Sequence, residues 1–282
     1  LPVGVAEALD RGAGSEVVVT DPVYPYYPGR TTMLGGEVTR VPVRDDGHVD
    51  VDATCAAAST DTAAIVLNTP NNPTGAVYDR EAVAAVADAA ADVDALVIVD
   101  EVYDHFALTG RFESALPLDR DHVVVTTSFS KSFAITGFRV GYTVLPAPLV
   151  DAVQTRHTLT TLAVSRPAQA AVLAALRETP ASYHEAVRDT LRERIDAFTH
   201  ALDAAGADYT RPEGGFYVLA RFDGFPGTLR NVKRLIDDAG VAGMPGAAFG
   251  DAYDEWLRFT VCTDRVDEAA DRLAGYVGDS GR

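Results

Sequence analysis

The run Ala-Leu-Val-Ile-Val at 95–99 is apolar at every position and ends abruptly at Asp100 and Glu101. A strand facing water on one side alternates apolar and polar residues, so a run without a polar position belongs to a sheet covered on both faces, as parallel sheets are. Strands of similar character are expected at Glu16–Thr20, Ala63–Asn68 and His122–Thr127, with shorter ones at Glu37–Val43 and Arg139–Leu145. Helical segments separate them, among them one within Val49–Thr62 and the Ala-rich amphipathic stretch Arg80–Asp92. Strand and helix in alternation define an α/β fold with a mainly parallel sheet and crossover helices. Beyond it, helical segments at Ala147–Arg177, broken near Pro167, and Ser182–Ala205 lead to strands at 214–222 and Leu257–Cys262. Helices at Leu229–Ala239 and Asp267–Tyr276 and a glycine-rich loop at Val241–Phe249 complete this part, which reads as a smaller α+β domain. We therefore expect a large domain over 1–165 and a small C-terminal one over 166–282.

Open α/β sheets bind ligands just past the carboxyl ends of their strands, so the residues there carry the functional reading. Asp100 ends the most apolar strand, and a buried carboxylate needs a cationic partner, either a protein group or a ligand. Lys131 follows the strand at His122–Thr127 and is one of only two lysines, with Lys233, against 22 arginines. Arginine serves for surface charge, whereas an amine that deprotonates and forms an imine must be lysine. Asn71 and Asn72, between Pro70 and Pro73, form a rigid turn at a strand end; turn chemistry or a binding amide explains them equally. Prolines at 22, 25 and 28 are expected to hold Tyr24, Tyr26 and Tyr27 on a stiff extended loop, where a ring could stack on a flat ligand or pack on its own domain. A turn at Gly4, with a helix starting at Val5, would expose amides able to hold a phosphate, although an ordinary strand-to-helix turn also fits.

The formal charge of −17 and pI near 4.6 exclude nucleic acid and anionic membranes as natural partners, since phosphate contacts need clustered cations. No apolar run is long enough to span a bilayer and no leader pattern opens the chain, which reads as cytoplasmic. Dispersed acidic residues with scarce lysine point to a high-salt interior, where screening relieves self-repulsion, although an ordinary acidic protein from a high-GC genome would show the same pattern. Cys55 and Cys262 are too few for a disulfide framework and too far apart for a metal motif; they are expected as buried thiols, and no metal site is expected. Arg188, Arg192 and Arg194 read as one solvated helix face.

The segment S-F-S-K-S-F-A-I-T-G-F-R-V-G at 128–141 resembles the lysine attachment motif of class I pyridoxal-5′-phosphate aminotransferases, of fold type I. N-N-P-T-G at 71–75, D-E-V-Y at 100–103, G-G-F-Y at 214–217 and P-G-A-A-F-G at 245–250 occur in that family's order, so the resemblance covers nearly the whole chain. It implies a pyridoxal 5′-phosphate cofactor and a ping-pong transfer of an amino group between an amino acid and a 2-oxo acid. Lys131 would hold the cofactor as a Schiff base, the internal aldimine, and then shuttle the proton. Asp100 would pair with the ring nitrogen, and Tyr103 and Asn72 would bond the phenolic oxygen. Tyr24 would stack on the ring. Ser128, Arg139 and the backbone of Gly4, Val5 and Ala6 would bind the phosphate, with Ser130 near it. Arg258 would clamp the substrate carboxylate, beside Asn72. The resemblance further implies a homodimer. It leaves no residues before Leu1 for the family's N-terminal arm, and it makes the first helix short by roughly two to three turns. A β-lyase or synthase of the same fold, or a weakly active or non-catalytic cofactor-binding protein, would share most of these residues.

Overall fold

The computed structural model describes residues 2–11 and 14–280, and in it the apolar run at 95–99 lies inside a six-stranded sheet, paired along both edges. The chain runs α1 (Pro2–Asp10), β1 (Glu16–Asp21), α2 (Tyr26–Met33), β2 (Glu37–Pro42), α3 (Val51–Ala57), β3 (Thr62–Asn68), α4 (Arg80–Asp92) and β4 (Leu96–Asp100). It continues through β5 (Val123–Ser128), α5 (Phe129–Ser132), β6 (Gly141–Val144), α6 (Val150–Thr161), α7 (Arg166–Glu178) and α8 (Ala181–Ala204). The last elements are β7 (Asp208–Tyr209), β8 (Tyr217–Arg221), α9 (Leu229–Arg234), β9 (Met244–Pro245), β10 (Trp256–Thr260) and α10 (Val266–Ser280).

The strand order β2-β1-β3-β4-β5-β6 is parallel except for β6, which pairs antiparallel with β5. Two apolar layers explain why these strands carry no polar positions. Ile65, Leu67, Val97 and Val99 point into one layer with Val83 and Val86 of α4. Ala64, Val66, Leu96, Ile98 and Val124 fill the other, with Val5 and Ala8 of α1. Helix α4 forms because Asp79 caps it, accepting from the Ala82 amide, and because Val83, Val86, Ala87 and Ala90 recur at helical spacing on its buried face. The register Asn68–Asp100–Thr126 aligns the carboxyl ends of β3, β4 and β5, so the segments that follow them converge.

The second sheet, β7-β8-β10-β9, is antiparallel. Its buried side shares a core with Leu191, Ile195, Phe198 and Leu202 of α8 and Leu273 of α10. Among the described residues no helix is long and apolar enough to cross a membrane, and no cluster of His, Cys, Asp and Glu could hold a metal.

Four expectations are corrected. The first helix starts at Pro2, so Gly4 lies inside its first turn and not in a turn before it; Gly12 and Ala13, which follow, lie outside the described residues. The proline-rich tyrosine segment is extended only as far as Tyr24. Pro25 caps α2, and Pro28 is tolerated in its first turn because an amide there has no intrahelical acceptor. Cys55 is half-buried and Cys262 is exposed, so neither is a buried core thiol. Arg188, Arg192 and Arg194 do not simply face solvent: they donate to the carbonyls of His105, Leu108 and Cys262, tying α8 to the two neighbouring chain segments.

Candidate active site

Asp100 stands at the end of β4 with no ion pair among the described residues. Its Oδ1 accepts from the Val102 amide at 3.0 Å and its Oδ2 from the Tyr27 hydroxyl at 2.6 Å. Burial pushes the carboxyl pKa up, against the pull of those two donors. Among the described residues no side chain supplies the cationic partner that the sequence called for.

The turn after β3 brings Asn72 to the same end of the sheet. Asn72 is fixed by its amide, which donates to Asn68 Oδ1 at 2.9 Å, and its Nδ2 reaches the Tyr103 hydroxyl at 3.4 Å. Its Oδ1 accepts from Arg258 Nη1 at 3.1 Å. Arg258 reaches over from β10, its guanidinium held between the rings of Tyr217 at 4.3 Å and Phe249 at 4.6 Å. Its Nε is buried with no acceptor among the described residues, and burial lowers its pKa. A planar fork with an idle donor, gripped on both faces, is built to take an anion. Tyr103 is buried and touches the Tyr217 hydroxyl at 3.4 Å; burial and Tyr217 push its pKa far up, so it stays a neutral donor.

Lys131 lies in α5, a single turn capped by Ser128, whose Oγ accepts from the Ser130 amide. The turn leaves β5 and is tied to β6 by the Phe129 amide, which donates to Val140 O at 3.1 Å. Ala134 and Arg139 both hold left-handed φ, 55° and 57°, a conformation that costs non-glycine residues energy and clusters at functional sites. The Lys131 amine forms no ion pair among the described residues and sits 5.8 Å from the Phe216 ring centroid. Burial lowers its pKa, as do the charges of Arg139 and Arg258, against an opposing contribution from Cys262. Ser128 Oγ donates to Ser130 Oγ at 2.8 Å, and Arg139 Nη1 approaches that same Ser130 oxygen at 3.5 Å. Arg139 Nη1 also donates to Thr136 O at 2.9 Å, so two hydroxyls and an anchored guanidinium share one corner.

Tyr24 is 43% exposed at the mouth, its ring stacked on Tyr26 and edge-on to Tyr27. Gly4 falls in the first turn of α1, where amides lack intrahelical acceptors, whereas Val5 and Ala6 lie where intrahelical bonding begins. Sequence reasoning left Tyr27, Phe216, Tyr217 and Phe249, which line the polar groups, without individual roles. Only the spacing of Tyr27, three residues after Tyr24, hints at a shared role, and the prolines around it conceal the helix that makes that spacing meaningful.

This constellation fits a flat anionic pyridine cofactor. The buried carboxylate suits a cation, the amine with a lowered pKa has no counter-ion among the described residues, and the serine-arginine corner suits an anion. The family of class I and II aminotransferases matches residues 3–273. The aspartate/prephenate aminotransferase of Thermus thermophilus is 33% identical over 94% of this chain and 70% of its own length. The aspartate aminotransferase of Thermotoga maritima is 32% identical over 94% of the chain and 70% of its own length. Among solved structures, T. thermophilus aspartate aminotransferase with maleate superposes with a TM-score of 0.89 at 31% identity, covering 97% of this chain and 72% of that one. N-succinyldiaminopimelate aminotransferase from Mycobacterium tuberculosis gives 0.87 at 31%, covering 98% and 75%.

Proposed function

The chain belongs to the class I and II aminotransferases, pyridoxal-phosphate enzymes of fold type I that pass an amino group between an amino acid and a 2-oxo acid, and on that premise we propose that Lys131 is its reacting amine. The observation that carries the reading is the meeting, at one end of the sheet, of Lys131 with Asp100 and the linked side chains of Asn72, Tyr103 and Arg258. When bound, the cofactor supplies an aldehyde carbon and an electron-withdrawing ring. Lys131, whose pKa burial and two arginines lower, would be the group that takes the substrate α-proton and returns it to the carbon that the cofactor's aldehyde supplies. Asp100 would face the ring nitrogen, Tyr103 and Asn72 the phenolic oxygen, and Tyr24 the ring face. Ser128, Arg139 and the first amides of α1 would hold the phosphate. Arg258 would take the substrate α-carboxylate through its planar guanidinium.

The relatives named for aspartate support aspartate as amino donor, with a 2-oxo acid as acceptor. Incubating the protein and cofactor with aspartate and a panel of 2-oxo acids tests this. New amino acid matching the acceptor supports it; release of ammonia without transfer contradicts it.

We also propose a homodimer. The support is a band of exposed apolar side chains along β6, α6 and α7, among them Tyr142, Val144, Leu159, Leu162, Leu173 and Leu176. A division near residue 165 agrees with the two separate sheets, although α7 also packs its Ala168 and Val172 on Val140. The charge pattern supports a salt-rich cytoplasm as the working environment.

A further inference from the structure

Among the described residues the hydroxyl of Tyr27 has Asp100 as its one hydrogen-bond partner, and its placement is built from several independent constraints. Tyr27 sits in the first turn of α2, its amide donating to Tyr24 O at 3.2 Å and its carbonyl accepting from Thr31 Oγ1 at 3.0 Å. Pro25 and Pro28 on either side restrict the backbone that carries it. The side chain is 3% exposed, and its ring packs edge-on to Tyr24 at 6.2 Å.

We propose that Tyr27 is a positioning residue of the transamination: its hydroxyl keeps the Asp100 carboxylate ionised and turned toward the cationic nitrogen of the cofactor ring. The reading rests on the assignment of Asp100 given above. Two donors grip the carboxylate, one on each oxygen, and so define its plane. Only one of them, Tyr27, is a side chain that substitution can remove. An O–H donor at 2.6 Å to a carboxylate out of water is a strong, charge-assisted bond. Without it, burial favours the protonated acid, which cannot hold a pyridinium. Burial and the adjacent carboxylate also hold the phenol itself protonated well beyond its ordinary range, so the donor role persists across the working pH. Tyr24 and Tyr27 thereby divide the work of one short segment, the first at the ring face and the second behind the ring's partner.

The experiment compares the affinity of apoprotein for pyridoxal 5′-phosphate with that for its carbocyclic analogue, in which a C–H replaces the ring nitrogen. Equilibrium binding is measured for the wild type, Tyr27→Phe and Asp100→Asn. Tyr27→Phe keeps the ring volume and the packing against Tyr24. We expect the wild type to prefer the nitrogen ring and Tyr27→Phe to lose about tenfold of that preference, the worth of one hydrogen bond to a charged group. A purely structural tyrosine would weaken both ligands alike, and an unchanged preference in Tyr27→Phe overturns the inference. If Asp100→Asn also leaves the preference intact, the Asp100 assignment itself fails. If Asp100→Asn abolishes the preference and Tyr27→Phe does not, only the role of Tyr27 fails.

Discussion

At the scale of single residues, the site is a set of side chains held away from their ordinary ionisation. Lys131 is the clearest case, since burial and the charges of Arg139 and Arg258 favour its neutral form. Cofactor capture should therefore rise with pH around a midpoint below about 10.4, the usual lysine value. Arg258→Gln removes one of the depressing charges, so its midpoint should lie higher; rapid-mixing absorbance across pH measures both, and an unmoved or lower midpoint contradicts the assignment. Asp100 makes the opposite case. Its folded pKa is raised, so the native state binds more protons than the unfolded chain above the ordinary carboxylate range of about 3.9. Stability then falls as pH rises from the ordinary carboxylate range through the raised folded value. Asp100→Asn, which keeps shape and the Tyr27 bond, should give an apoprotein that melts higher than wild type at neutral pH, with the gap closing in acid. A variant that melts lower at both pH values refutes this. Asp100 and Lys131 stand out in the sequence because each is unusual where it stands. Tyr27 does not, because its function depends on a helix start hidden among prolines.

At the scale of elements, the parallel strands were readable because burial on both faces leaves no polar position, and Arg80–Asp92 was read with the bounds it has because cap and periodicity agree. The two-residue strands β7 and β9 carry no pattern at all and follow only from pairing with β8 and β10. The arginines of α8 illustrate another limit: a helix face dense in charge looks solvated until the carbonyls it reaches are known. Within the lysine motif the glycines differ in role. A Cβ at Gly141 would fall 2.6 Å from Thr127 O, so β6 can approach β5 only with glycine there, whereas Gly137 meets nothing. Gly141→Ala should therefore push β6 off β5, loosen the Lys131 turn and cost about 2 kcal/mol or more in stability. Gly137→Ala should be close to neutral. Paired denaturation curves and cofactor titrations test the contrast; equal effects at the two positions would contradict it.

At the scale of the whole molecule, a net charge of −17 over 282 residues with two lysines sets how the chain responds to salt. Screening relieves self-repulsion, so the unfolding midpoint should rise between low and molar KCl, and an unchanged or falling midpoint would argue against adaptation to salt. The exposed apolar band on β6, α6 and α7 should likewise be covered in solution, with sedimentation reporting a species of twice the monomer mass. The scarcity of lysine also makes the central claim unusually direct to test. Loading the protein with pyridoxal 5′-phosphate, reducing with borohydride and mapping peptides by mass fixes the cofactor covalently to whichever amine holds it. The account predicts the added mass on the peptide containing Lys131, and label on Lys233 in its place, or on neither lysine, would contradict it.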